Sequence, residues 1–391
     1  MRERLLEFLI CPIDKTNLEI LVWEEKDNKL TEADLDRIKN LGGDRKQFEK
    51  EIISGVLINR SRKIYYPIYN GVPRMLTYDC KVFDIFKEKF SAKIKQEFKG
   101  YETPSLFPPV GEESVIRSFS KEWLDYNWDP NKYWKIKPEL MYKSMRFMLD
   151  IDNKPVKNKS MLEIGIGIGG IADYFSSKEL SELVGIDLSY AVDAAYNNFG
   201  ENKFLHIVQA SAIRLPLKDN SFDYVYSQGV LHHSSDPREC FREVCKTAKE
   251  KGYFYVWLYN DVNENRNLLR SSIMMMEKML RPLIWPMPHF LQSVVLAPIA
   301  LLYIIYENLS QMSNKEMVRY SWREAFHSAR DRFTPRYAFR YSEEEIAGWF
   351  KEAGYDNLSK ISQRKIPDYL GHDFYLATAM IGQKGLNFLH D

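Results

Sequence analysis

The run SMLEIGIGIGG, Ser160 to Gly170, constrains this chain most: an apolar stretch breaks off at Glu163 into Gly165, Gly167, Gly169 and Gly170. Glycines at a strand-to-helix turn let the backbone approach a bound nucleotide, and the N-terminus of the following helix aims N–H donors at it. A second apolar stretch, LVGIDLS, ends at Asp187, twenty residues after Gly167. A carboxylate there can accept both hydroxyls of a ribose. The pattern predicts an α/β chain with a Rossmann-like parallel sheet and a ligand at the carboxyl ends of its strands.

Two cofactor classes satisfy that spacing, nicotinamide dinucleotides and S-adenosylmethionine. Glu163 helps to separate them, because an acid just before the glycines suits the ammonium group that only the second class has. Further on, IRLPLKDNSFDYVYSQGVLHH holds a Leu-Pro turn and a polar turn at Asp219, then a buried strand ending in Gln228, Gly229, His232 and His233.

Taken together, these segments resemble the class I S-adenosylmethionine-dependent methyltransferases, in the small-molecule branch of the ubiquinone and menaquinone type. The resemblance covers about residues 158–260 and, more weakly, 337–382. It implies that Glu163, Gly165, Gly167 and Gly169 surround the methionine end of the cofactor and that Asp187 holds the ribose. It also implies that Ala210, Ser211 and Ala212 border the adenine and that Gln228 lies beside the sulfonium. Family members usually carry Asp where Ser211 stands, so here the adenine contact falls to a hydroxyl. Each position also has a plainer reading: Gly169 and Gly170 can serve helix packing, and Asp187 can cap a helix. The strand is not followed by an Asn-Pro-Pro-aromatic motif, which argues against amino methylation of nucleic-acid bases.

Composition narrows the function further. The 391 residues carry 55 Lys plus Arg against 54 Asp plus Glu, which removes the electrostatic footprint of a general nucleic-acid binder. A 45% hydrophobic and 28% charged make-up is that of a globular chain. Cys11, Cys80, Cys240 and Cys245 form neither a disulfide framework nor paired metal-ligand spacing, and the start MRERLLEFLICPIDK does not read as a secretory signal. A cytoplasmic protein is expected, in peripheral contact with the inner face of a membrane as one option.

Residues 1–78 read as a first unit: a turn at Cys11 to Asp14, a strand in LEILVW, a charged helical arm from Glu24 to Lys50, and two short strands in VLINRSRKIYYPIYNGVPRML. This segment is similar to the small zinc-ribbon-like domain of the activators of tRNA and protein methyltransferases, whose zinc-binding members have two Cys-x-x-Cys pairs. Only Cys11 remains of those pairs, with Asp14 in place of its mate and Asn59 to Arg62 free of cysteine, so no metal is expected.

Residues 79–157 read as a helical connector or cap, with Phe119, Trp123 and Tyr126 on one face. Residues 261–336 form an apolar helical insertion with no charged residue from Pro282 to Tyr306. It fits a lid over an apolar acceptor pocket, a patch in a membrane interface or a dimerisation surface, and less well a spanning helix. Residues 337–391, with Ser342 and Glu345 as a capping box, complete the core.

For the acceptor, His232 and His233 sit where a base could deprotonate a hydroxyl. Trp123, Tyr259, Arg336 and Tyr337 are candidate acceptor contacts, and the arginines at 332, 336 and 340 could bind an anion. The expected function is methyl transfer from S-adenosylmethionine to a small or lipid-linked metabolite, at oxygen. The competing readings are an RNA methyltransferase and a non-catalytic scaffold of the same fold, with a nicotinamide oxidoreductase last; no DNA partner is expected.

Overall fold

The computed structural model describes residues 1–124, 128–129, 137–261, 268–310, 321–365 and 377–386. Tyr126 and Trp134 lie outside the described residues. Two sheets organise the chain. The first is antiparallel, in the order β1 (Glu19–Asp27), β2 (Lys50–Asn59), β3 (Ile64–Tyr69) and β4 (Val72–Pro73). The charged stretch from Glu24 to Lys50 is less helical than its composition suggests. Glu24 to Asp27 prolong β1, and only Glu32–Asn40 is an α-helix, capped by Thr31 and Asp34.

The second sheet has seven strands: β5 (Ser160–Ile164), β6 (Glu182–Asp187), β7 (Leu205–Gln209), β8 (Phe222–Gln228), β9 (Ala248–Tyr259), β10 (Tyr355–Lys360) and β11 (Ala377–Lys384). Their order is β10-β11-β9-β8-β5-β6-β7, with β7, β6, β5, β8 and β9 parallel to their neighbours and β11 antiparallel to both β9 and β10. The chain leaves β5 towards β6 and later returns on its other side as β8. The carboxyl ends of β5 and β8 therefore flank the switch point where such sheets open a crevice for ligands. The parallel strands are buried on both faces, as their near-continuous Val, Ile and Leu content requires.

The small sheet is built onto the large one. Leu5, Leu9, Leu57, Tyr66 and Met75 share one apolar core with Leu162, Val184, Val208 and Phe222, and the Phe8 and Phe222 rings stack at 5.1 Å. After β4 the backbone runs alongside the end of β7, where the Met75 N–H donates to the Gln209 carbonyl at 2.8 Å. Three arginines complete the junction. Arg2 donates to the carbonyls of Gly200 and Leu205, Arg74 pairs with Asp193 at 2.5 Å, and Arg4 pairs with Glu182 at 3.0 Å.

Where the zinc-ribbon resemblance would put four thiolates, polar side chains bond to one another. The Asn59 amide donates to both Asp14 oxygens at 3.0 Å, Arg62 Nε donates to Asp14 at 2.8 Å, and Cys11 Sγ lies 3.4 Å from the Tyr66 hydroxyl. Burial works against the Asp14 charge, but hydrogen bonds from Thr16 and Asn59 outweigh it and hold the carboxyl well below its usual range. Among the described residues no group of His, Cys, Asp or Glu is arranged to hold a metal ion.

The buried junction gives a stability prediction. Glu182 accepts from Arg4 and lies 3.2 Å from His206 Nε2, with all three side chains nearly inaccessible. Arg4→Met leaves Glu182 uncompensated and is expected to lower unfolding stability by about 3 kcal/mol in urea titrations. Burial holds the His206 imidazole below its ordinary 6.5. The unfolded chain therefore binds a proton there that the folded chain refuses, and stability falls as pH drops below about 6.5. His206→Asn should remove that part of the slope.

Candidate active site

The turn after β5 is shaped by backbone conformations that only glycine takes without strain. Gly165, Gly167 and Gly169 have φ of 86°, 52° and 87°. A Cβ on Gly165 would lie 2.1 Å from Val230, and one on Gly169 would lie 3.1 Å from Phe199. Gly169 then opens the Gly170–Ser177 helix, whose first N–H groups face the turn.

Asp187, at the end of β6, ties this turn down. Its Oδ2 accepts the Gly167 N–H at 3.1 Å, and its Oδ1 accepts from the N–H and hydroxyl of Ser189 at 2.9 and 2.7 Å. Asp187 is not a helix cap: the next helix, Ala191–Phe199, begins after Tyr190. Burial pushes its carboxyl upward against those hydrogen bonds. A carboxylate offers about four lone-pair directions, so room remains for further donors.

Glu163 lies one turn deeper and is 3% exposed. Its Oε2 has no hydrogen-bond partner among the described residues. Burial pushes its carboxyl up to about 8, with the Tyr226 hydroxyl pulling the other way and Asp187 adding to the rise. An orphaned buried carboxyl beside a glycine cradle fits a ligand that brings a cationic amino group. Gln228, at the end of β8, accepts from the Tyr255 hydroxyl at 2.9 Å.

The helix Glu112–Leu124 crosses above these strand ends as a roof. Its Trp123 ring would lie 3.4 Å from a Cβ on Gly167, and its Ser120 hydroxyl accepts the Tyr190 N–H at 3.0 Å. At its start, Glu112 accepts from the Ser211 hydroxyl and, at 2.7 Å, from the Tyr78 hydroxyl. The Ser211 hydroxyl is thus already engaged, and a carboxylate stands beside the position where family members carry Asp. Glu112 reaches Ser211 across 99 positions of sequence, so no local pattern announced it. Ala212 is half-buried against the shared core.

His232 and His233 form a short 3-10 turn after β8, and neither caps the next helix, which Asp236 caps. His232 stacks on Tyr259 at 3.9 Å and is fully buried. His233 Nδ1 lies 2.8 Å from the Tyr337 carbonyl, so Nδ1 carries the proton and Nε2 the lone pair, 3.8 Å from Asp331 Oδ1. Burial lowers both imidazoles, most strongly His232, against Asp331 at His233. Tyr259 donates to the other Asp331 oxygen at 2.8 Å.

The arginines proposed for an anion are spent elsewhere. Arg332 and Arg340 both bond the buried Glu277, at 2.7 and 2.9 Å, and Arg336 lies over the Trp285 ring at 5.0 Å. The Tyr337 ring packs on Gly111 and stacks with Phe339. An acid in the insertion, Glu277, captured two of the three arginines, which helical periodicity alone does not reveal.

The close fit of Gly165 against Val230 predicts that Gly165→Ala costs about 2 kcal/mol of stability, from strain and overpacking together. Adding Val230→Ala should restore only the overpacking part in urea unfolding.

Comparison with known proteins agrees with this geometry. Residues 162–256 match the family described as "Methyltransferase domain", and residues 2–71 match "Trm112p-like protein". The chain is 34% identical over 97 residues to "Uncharacterized methyltransferase YcgJ" of Bacillus subtilis, covering 24% of this chain and 38% of that protein. It is 33% identical over 111 residues to "Phosphoethanolamine N-methyltransferase 2" of Caenorhabditis elegans, covering 28% and 25%. To "Tocopherol O-methyltransferase, chloroplastic" of Arabidopsis thaliana it is 26% identical over 138 residues, covering 34% and 40%. The chain thus spans between a quarter and two fifths of the length of these relatives. One polypeptide therefore carries a Trm112p-like segment and, built onto it, a class I methyltransferase domain of the kind that uses S-adenosylmethionine.

Proposed function

We propose that this chain transfers a methyl group from S-adenosylmethionine to a small or lipid-linked acceptor, at oxygen. The observation that carries the reading is the pairing of the Glu163, Gly167 and Asp187 constellation at the switch point with a roof helix and an apolar hairpin on its acceptor side. When bound, the cofactor supplies a methyl group activated on a sulfonium. The chain's own task is then to bind, align and exclude water. Asp187 would hold the ribose, Glu163 the amino group, Gln228 the sulfonium end, and Ser211 with Ala212 the adenine border. On the acceptor side, Trp123, Tyr259 and Tyr337 would form an aromatic wall and Arg336 its basic edge. Within it the Nε2 lone pair of His233 is one group able to take a proton, backed by His232 and Asp331.

The hairpin supports a lipid-linked acceptor. Helices Leu268–Ile284 and His289–Ser310 expose Met275, Met279, Leu283, Phe290, Val294 and Leu302, with no charge from Pro282 to Tyr306. No described helix is long and apolar enough to cross a membrane. A face of this composition suits lying in a bilayer interface, with Lys278 and Arg323 beside it at the headgroups.

Pure protein incubated with methyl-labelled S-adenosylmethionine and fractionated host extract is expected to label the lipid or small-metabolite fraction; label confined to RNA would replace this reading. Asp187→Ala should weaken cofactor binding at least tenfold by calorimetry. Binding of a cationic amino group favours the ionised form of Glu163, so affinity should rise with pH up to about 8. In Glu163→Gln that dependence should vanish.

A further inference from the structure

The roof helix carries an acid that the scheme above leaves unused. Glu122 is 2% exposed, and neither of its carboxylate oxygens accepts a hydrogen bond among the described residues. A buried carboxyl in that state is costly and persists where a fold has a use for it. His327 Nε2 lies 3.2 Å from Glu122 Oε1, off the direction of a good hydrogen bond, and the imidazole meets the Trp123 ring edge-on at 5.0 Å. The Trp123 ring in turn lies over Gly167. An unbroken line of contacts therefore runs from the glycine turn through Trp123 and His327 to the carboxyl.

Three separate segments converge there: the roof helix, the Trp322–Phe333 helix packed under the apolar hairpin, and the glycine turn. The charged groups acting on Glu122 are Asp331, which disfavours its ionisation, and Arg330, which favours it; Arg323 and Arg330 act on His327. Burial is the largest influence on both, raising the carboxyl and lowering the imidazole to about 3. The pair thus shares no charge of its own and keeps a carboxyl with raised proton affinity beside a neutral ring.

We propose that Glu122, oriented by His327, is the proton acceptor for the methyl acceptor's hydroxyl or phenol group. The inference rests on the methyltransferase reading and adds the identity of its base. In the step, the acceptor O–H bond breaks and its proton passes to the Glu122 carboxylate, while the oxygen's electron pair forms the new O–CH3 bond. The S–CH3 bond breaks with its pair returning to sulfur, so the sulfonium becomes a neutral thioether as the carboxylate becomes a neutral acid. An acceptor with an ionisable oxygen suits this arrangement better than a carbon nucleophile, which would bring no such proton to the carboxyl.

The test compares Glu122→Gln, Glu122→Asp and His233→Asn in the full-length protein. Each is assayed for label transfer to the extract fraction that the wild type labels and for S-adenosylmethionine affinity by calorimetry. Glu122→Gln is expected to lose at least a hundredfold in transfer with cofactor affinity within twofold of wild type. Glu122→Asp should retain part of the rate with a shifted pH profile. Full transfer by Glu122→Gln, or parallel loss of cofactor binding and transfer, would overturn the assignment, as would loss confined to His233→Asn. Infrared difference spectra of the protein alone provide a readout that needs no acceptor. A carboxyl band that titrates between about pH 6 and 9, and is missing in Glu122→Gln, is expected of a base matched to its working pH. Its absence would overturn the proposal even if no extract fraction were labelled, a result that would separately count against the methyltransferase reading.

Discussion

The buried contact of Arg4 with Glu182 and His206 fixes how the two sheets of this chain meet. Glu182 opens β6, the strand that ends at Asp187, so the ion pair grips one end of the strand whose other end ties down the glycine turn. A charge withdrawn from water this completely is tolerated only with its partners in place. The small sheet is thereby held in one position on the large one, and the apolar residues around Leu9 and Leu57 close over the junction. The cofactor side then inherits its rigidity from a strand anchored at both ends.

The same logic of mutual satisfaction governs the region that resembles a zinc ribbon. Asp14 replaces a thiolate, and Asn59 and Arg62 donate to it from the opposite loop. Directional hydrogen bonds link the two loops at the point where a tetrahedral ion would link them in the zinc-binding relatives. The loops keep their relative position with ordinary side-chain chemistry, and the resemblance at the level of the chain survives the change of staple.

What was legible in the sequence was local. Glycines that need positive φ, an acid at a strand end and a Ser-x-x-Glu capping box announce themselves within a few residues, and Gly165, Asp187 and Ser342 occupy those roles. What was not legible was pairing across distance. Glu112 beside Ser211, Glu277 between Arg332 and Arg340, and Glu122 against His327 each join segments far apart in sequence. The arginines looked available for an anion only because their acid lay in another helix. The arm from Glu24 to Lys50 looked helical because its charges suit a solvated helix equally well as the exposed strand they prolong.

Joining the two units in one polypeptide changes how their association responds to concentration. Two separate chains meeting through the same surfaces would part on dilution and would compete with every other protein offering a similar face. Here the linking segment keeps the small sheet at a high effective concentration beside its site on β7, where Met75 and Arg74 engage Gln209. Occupancy of that face becomes a matter of folding alone, set by chain connectivity and independent of how many copies the cell makes.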